Sequence, residues 1–92
     1  MRVAWDDEPL DPLAALREGD PAPFDRFVEA EAPTLIGFFR RLGASWAEAE
    51  DLTQETCLKL YRSAPRYAAR ERFTSYVFRI ARNAWIDAGR RR

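Results

Sequence analysis

The sequence contains no histidine, one cysteine and only four glycines in 92 residues, and each scarcity removes a class of chemistry. Without histidine the usual general base near neutral pH is missing, and Cys57 has no second thiol to pair with. An internal disulfide and a cysteine–histidine metal site are therefore excluded, and no nucleophile–base pair stands out in the sequence. No glycine-rich phosphate loop is present either. No apolar run approaches the roughly 20 residues that span a membrane. The start, Met-Arg-Val-Ala-Trp-Asp-Asp-Glu, carries no signal-peptide segment. No alternating β pattern, internal repeat or low-complexity tract appears. The expectation is a non-enzymatic domain without cofactor or metal, in a reducing, cytoplasmic setting.

What is present suits a folded domain. Hydrophobic residues make up 47% and charged residues 33%, enough apolar surface for one helical core. The net charge of zero hides a strong asymmetry. Met1–Leu60 carries a net −7, and Tyr61–Arg92 carries +7. One surface therefore suits a basic partner and another a polyanion.

Asp11-Pro12 and Asp20-Pro21 each place a capping carboxylate before a proline suited to the first helical position. The pattern predicts a short helix over about Pro12–Glu18 and a longer one over about Pro21–Leu42. Phe24, Phe27, Val28, Leu35, Phe38, Phe39 and Leu42 supply the buried side of the longer one. Pro33 lacks an N–H for the helical ladder and crowds the preceding turn, so a kink or short break is expected near Ala30–Pro33. Gly43 suits a helix end. Ser45-Trp46-Ala47-Glu48 has the form of a capping box, which starts a third helix at about Trp46. That helix runs to about Arg62, where Ser63-Ala64-Pro65 stops it. An arginine-rich loop follows, and the last helix begins near Phe73. Phe73, Val77, Ile80, Ala81 and Ala84 share one of its faces, and Phe78 and Trp85 form a second strip. The fold class is all-α, a compact bundle of three main helices plus a short N-terminal one. An acidic tail over Met1–Glu8 precedes the domain, which begins at residue 11.

The third helix has two faces of different chemistry. At about 100° per residue, Ala49, Leu52, Thr53, Thr56, Cys57 and Leu60 gather on an apolar side. Asp51, Gln54, Glu55, Leu58 and Arg62 gather on the other. Two carboxylates, an amide and a leucine suit docking onto a basic partner helix through charge-assisted bonds. A solvated surface is the plainer reading, but it has little use for Leu58.

On the last helix Arg79, Asn83 and Arg90 project within about 40° of one another. The arginines suit phosphates, and Asn83 suits a base edge. The plainer reading is a solubilising face, with Arg79 paired to Glu71 and Asp87 paired to Arg90 or Arg91. In the preceding loop, Arg66, Tyr67, Arg70 and Arg72 interleave charge with an aromatic ring, as a single nucleic-acid strand requires. The alternative there is that Tyr67 covers the core edge.

These segments have the forms A-E-D-L-x-Q-E and F-x-x-Y-V-x-R-I-A-R-N-x-x-I-D, separated by the arginine-rich loop. Over roughly Pro21 to Arg92 the chain resembles region 2 of bacterial sigma factors, in the compact extracytoplasmic-function (ECF) group. The resemblance implies a domain that docks on core RNA polymerase and recognises and opens the promoter −10 element. It implies that Asp51, Gln54 and Glu55, with Leu58 beside them, face the coiled coil of the largest polymerase subunit. It places Asn83 on the surface that reads the upstream part of the −10 element, and the helical period sets Arg79 and Arg90 beside it. The loop with Arg66, Tyr67, Arg70 and Arg72 would capture a base flipped from the non-template strand. An anti-sigma factor is a further implied partner. In the family a linker and a second DNA-binding domain, region 4, follow at this point, so the resemblance implies a fragment without region 4 or a naturally truncated relative. Tyr76 stands where the family often has tryptophan and points towards the core. That argues against melting by an aromatic wedge and for base capture by the loop. The alternative function is an interaction module for an anti-sigma factor, without DNA binding of its own. A free-standing helix-turn-helix repressor is disfavoured, since Gly43 serves a longer connection.

Overall fold

Side-chain caps decide where two of the helices begin. The Asp11 carboxylate accepts from the backbone N–H of Leu13 at 2.9 Å and starts α1 (Pro12–Arg17). Ser45 Oγ accepts from Glu48 N at 3.1 Å while Glu48 Oε1 accepts from Ser45 N at 3.0 Å. That reciprocal box starts α3 (Trp46–Ser63). Between them, Asp20 Oδ1 accepts from Ala22 N ahead of α2 (Ala22–Arg41). Gly43, at φ 108°, turns the chain out of α2 in a conformation that favours glycine. A 3-10 turn over Ala64–Arg66 and a short loop then lead to α4 (Phe73–Arg90). This computed structural model describes Trp5 and residues 11–91, and no strand occurs among them. The all-α bundle of three long helices and a short first one is the architecture expected.

The core forms where the apolar faces of the long helices meet. Phe27 is its aromatic hub, edge-on to Phe73 of α4 at 4.8 Å and to Trp5 at 5.3 Å between ring centroids. Such pairs add about 0.5–1.5 kcal/mol each beyond area burial. Leu35 and Phe39 of α2, Leu60 of α3 and Val77 of α4 are fully enclosed around it. Thr53 and Thr56 lie on the buried side of α3, and each hydroxyl donates to the carbonyl four residues earlier, at 2.8 and 2.7 Å. Neither polar group is left unsatisfied.

Two expectations are corrected. Pro33 does not break α2, which runs continuously through it. Both Pro33 and Glu29, whose carbonyl loses its ladder partner, lie on the exposed side, where that carbonyl is open to solvent. Phe27 and Leu35 anchor the helix on either side of the proline. Leu42, expected on the buried side, is exposed past the end of α2. The acidic tail read over Met1–Glu8 lies outside the described residues except for Trp5. Trp5 is buried, and its Nε1 donates to Glu31 Oε2 at 2.9 Å.

Candidate functional site

α3 packs Ala49, Leu52, Thr53, Thr56 and Leu60 inward, and this fixes the direction of the opposite face. Asp51, Gln54 and Leu58 stand exposed there, Leu58 by 51% of its surface. No side chain of the described residues engages Asp51 or Gln54. Glu55 is different. It is half-buried, its Oε1 accepts from Arg91 Nη2 at 3.3 Å, and its Oε2 lies 3.4 Å from Lys59 Nζ. Lys59 Nζ in turn lies 3.5 Å from Asp87 Oδ2 on α4. Asp87 therefore pairs across to α3 and not along its own helix as expected. Of the two acids on this face, Asp51 is thus free to receive a cation, and Glu55 sits in an existing ion-pair network.

Beside this face an open groove of about 500 Å³ runs between α2 and α3. Phe24 and Val28 line one wall, and Cys57, Leu58 and Tyr61 line the other. Asp25 and Glu29 add negative charge at its α2 edge. Desolvation pushes the Cys57 thiol above its ordinary range, so it behaves here as an apolar side chain. The sequence reading missed the α2 half of this groove and Tyr61. Tyr61 was legible as a large exposed aromatic one turn beyond Leu58.

α4 buries Phe73, Val77, Ala81 and Ala84, which leaves Arg79, Arg82, Asn83, Ile86 and Arg90 exposed along one stripe. Arg82 and Ile86 were not singled out from the sequence, although the same period places them there. Arg79 is not a free cation. Its Nε and Nη2 both donate to Glu71 Oε1, at 3.2 and 2.6 Å, and its guanidinium lies 5.0 Å from the centre of the Tyr76 ring. Glu71 raises the Arg79 pKa further, so its charge is permanent. This pair ties the arginine-rich loop to the start of the α4 stripe. Within the loop, Arg66, Arg70 and Arg72 are exposed.

Tyr67 does not offer a flat face to a base, and that expectation is corrected. Only 5% of it is exposed, with its ring edge-on to Tyr76 at 5.2 Å. Its hydroxyl donates to Asp11, and its carbonyl accepts from Arg17 Nη1 of α1. Burial, then the Asp11 carboxylate, holds the phenol proton far above the ordinary tyrosine range. Tyr76 is half-buried against the core, as expected.

Among the described residues no cluster of cysteine and acid side chains could hold a metal ion. No helix among them is long and apolar enough to cross a membrane.

Comparison with known proteins matches residues 27–92 to the Sigma-70 region 2 family. RNA polymerase sigma factor CarQ of Myxococcus xanthus is 38% identical over 76 residues, covering 83% of this chain and 44% of its own. ECF RNA polymerase sigma factor SigE of Mycolicibacterium smegmatis is 34% identical over 89 residues, covering 94% of this chain and 34% of its own. ECF RNA polymerase sigma factor SigC of Mycobacterium tuberculosis is 32% identical over 86 residues, covering 92% and 46%. The chain spans less than half the length of these curated relatives. No solved structure matches it.

Proposed function

The chain belongs to the Sigma-70 region 2 family of non-enzymatic transcription initiation factors, and on that premise we propose that it docks on core RNA polymerase through α3 and reads the promoter −10 element through α4. The observation that carries this reading is the division of its surface. An acidic face with an exposed leucine lies on one helix, and a stripe of arginines around an asparagine lies on another.

Docking begins at Asp51 and Gln54, which need no rearrangement to meet arginines of a helical hairpin in the largest polymerase subunit. A charge-assisted bond of this kind contributes about 1.5–3 kcal/mol. Glu55 joins only when an incoming arginine replaces or shares Arg91. Leu58 and the adjoining groove receive the apolar side chains of the same partner, which excludes water from the charged contacts.

On α4, Arg82 and Arg90 supply charge to phosphates, and Asn83 between them meets a base edge. Arg79 reaches a phosphate only in competition with Glu71, so its share of affinity is smaller than that of a free arginine. Tyr67 serves as the anchor that seats the loop on α1. Arg66 and Arg70 carry the loop's contacts to a single strand, with guanidinium planes in place of an aromatic stack.

Selection from a randomised promoter library by core polymerase carrying this chain tests the reading. The wild-type chain should enrich one −10 motif. Asn83→Ala should relax preference at one position by roughly 5- to 150-fold, matching the 1–3 kcal/mol of a bidentate base contact. Arg79→Ala should weaken all sequences alike. Polymerase binding with no base preference would leave the chain an interaction module, with an anti-sigma factor as its natural partner.

A further inference from the structure

Ile86 is 38% exposed in the middle of the α4 stripe. By the helical period it falls within about 60° of Arg79, Arg82, Asn83 and Arg90. It is no member of the core cluster, and a β-branched residue brings a helix no propensity that would account for it at this position. A single exposed apolar side chain is ordinary on a protein surface, so exposure alone assigns it nothing. Its surroundings do. The guanidiniums on either side bring phosphates to this stripe, and an α-helix seated between phosphates fills the major groove. There the one strongly apolar feature of a base edge is the C5-methyl of thymine. Asn83 lies one turn before Ile86 on the same stripe, so the two side chains meet neighbouring base pairs.

We infer that Ile86 packs on a thymine methyl in the upstream part of the −10 element and makes that position specific for thymine. The inference rests on the assignment of α4 as the promoter-reading helix. It adds a discrimination that hydrogen bonds from Asn83 cannot supply, because the methyl group has no donor or acceptor.

The probe is the duplex enriched by core polymerase carrying this chain, with each thymine of its −10 element replaced in turn by uracil. That change removes only the methyl group. At one position the wild-type chain should bind uracil about fourfold more weakly than thymine, the effect of one buried methyl. Ile86→Ala should bind both equally there, and Ile86→Val should keep most of the difference. Circular dichroism of each variant confirms that α4 is intact. Uracil tolerated at every position, with the other base preferences retained, overturns the role of Ile86 and leaves the promoter reading standing. Discrimination that survives in Ile86→Ala overturns it equally. Enrichment of no sequence at all removes both.

Discussion

Tyr67 shows how one side chain fastens three segments. Its hydroxyl bonds the cap of α1, its carbonyl accepts from Arg17, and its ring lies against Tyr76 of α4. The folded state holds its proton well above the ordinary tyrosine value near 10, whereas the unfolded chain releases it there. Stability from this group is therefore complete below about pH 10 and is lost as pH rises further. Tyr67→Phe should cost roughly 1–2 kcal/mol at neutral pH and flatten the alkaline loss. Denaturant melts of both proteins between about pH 7 and 11 read this directly. Parallel alkaline slopes would show that another group is responsible. The sequence left the placement of Tyr67 open between a base-facing ring and a cover for the core edge, because a loop has no period from which to read a direction. Asp51, Leu58 and Asn83 were legible because the period of their helices alone sets their exposure. The partners of Glu55 and Arg79 were less so. Glu71 was a named candidate for Arg79, but Arg91 on Glu55 depends on how α3 and α4 cross.

At the scale of elements, chemistry at the ends proved readable and chemistry in the middle of α2 did not. Asp11 and the Ser45–Glu48 box start helices where their sequences place them, because a cap acts on its own nearest N–H groups. Pro33 obeys a local rule that packing overrides. Its cost to the ladder is real, but the aromatic contacts of Phe27 and the burial of Leu35 and Phe39 hold the helix on both sides. That cost is retained in the folded protein and is recoverable. Pro33→Ala should stabilise the domain by about 1–3 kcal/mol, the helix-interior penalty less the entropy returned to the unfolded chain. Thermal and denaturant unfolding check it. A destabilised variant would mean that α2 is bent at Pro33 in a way its packing requires.

In the molecule as a whole, the charge asymmetry along the sequence becomes an asymmetry of surface. The acids of α3 and the arginines of α4 sit on neighbouring helices. They are joined at their border by the Lys59–Asp87 and Arg91–Glu55 pairs. These exposed pairs contribute little to stability individually. Their larger effect is to occupy Glu55 while leaving Asp51 clear, so the proposed docking face has one carboxylate ready and one held in reserve. This gives a sharper expectation than the sequence alone, in which Asp51 and Glu55 were equivalent. The most direct test is the affinity of the labelled chain for core RNA polymerase, measured by fluorescence anisotropy for wild type and Asp51→Arg. Asp51 has no partner among the described residues and lies exposed, so the variant should fold normally while binding about 100-fold more weakly. A folded Asp51→Arg protein that binds core polymerase as tightly as wild type would contradict the assignment of α3 as the docking face.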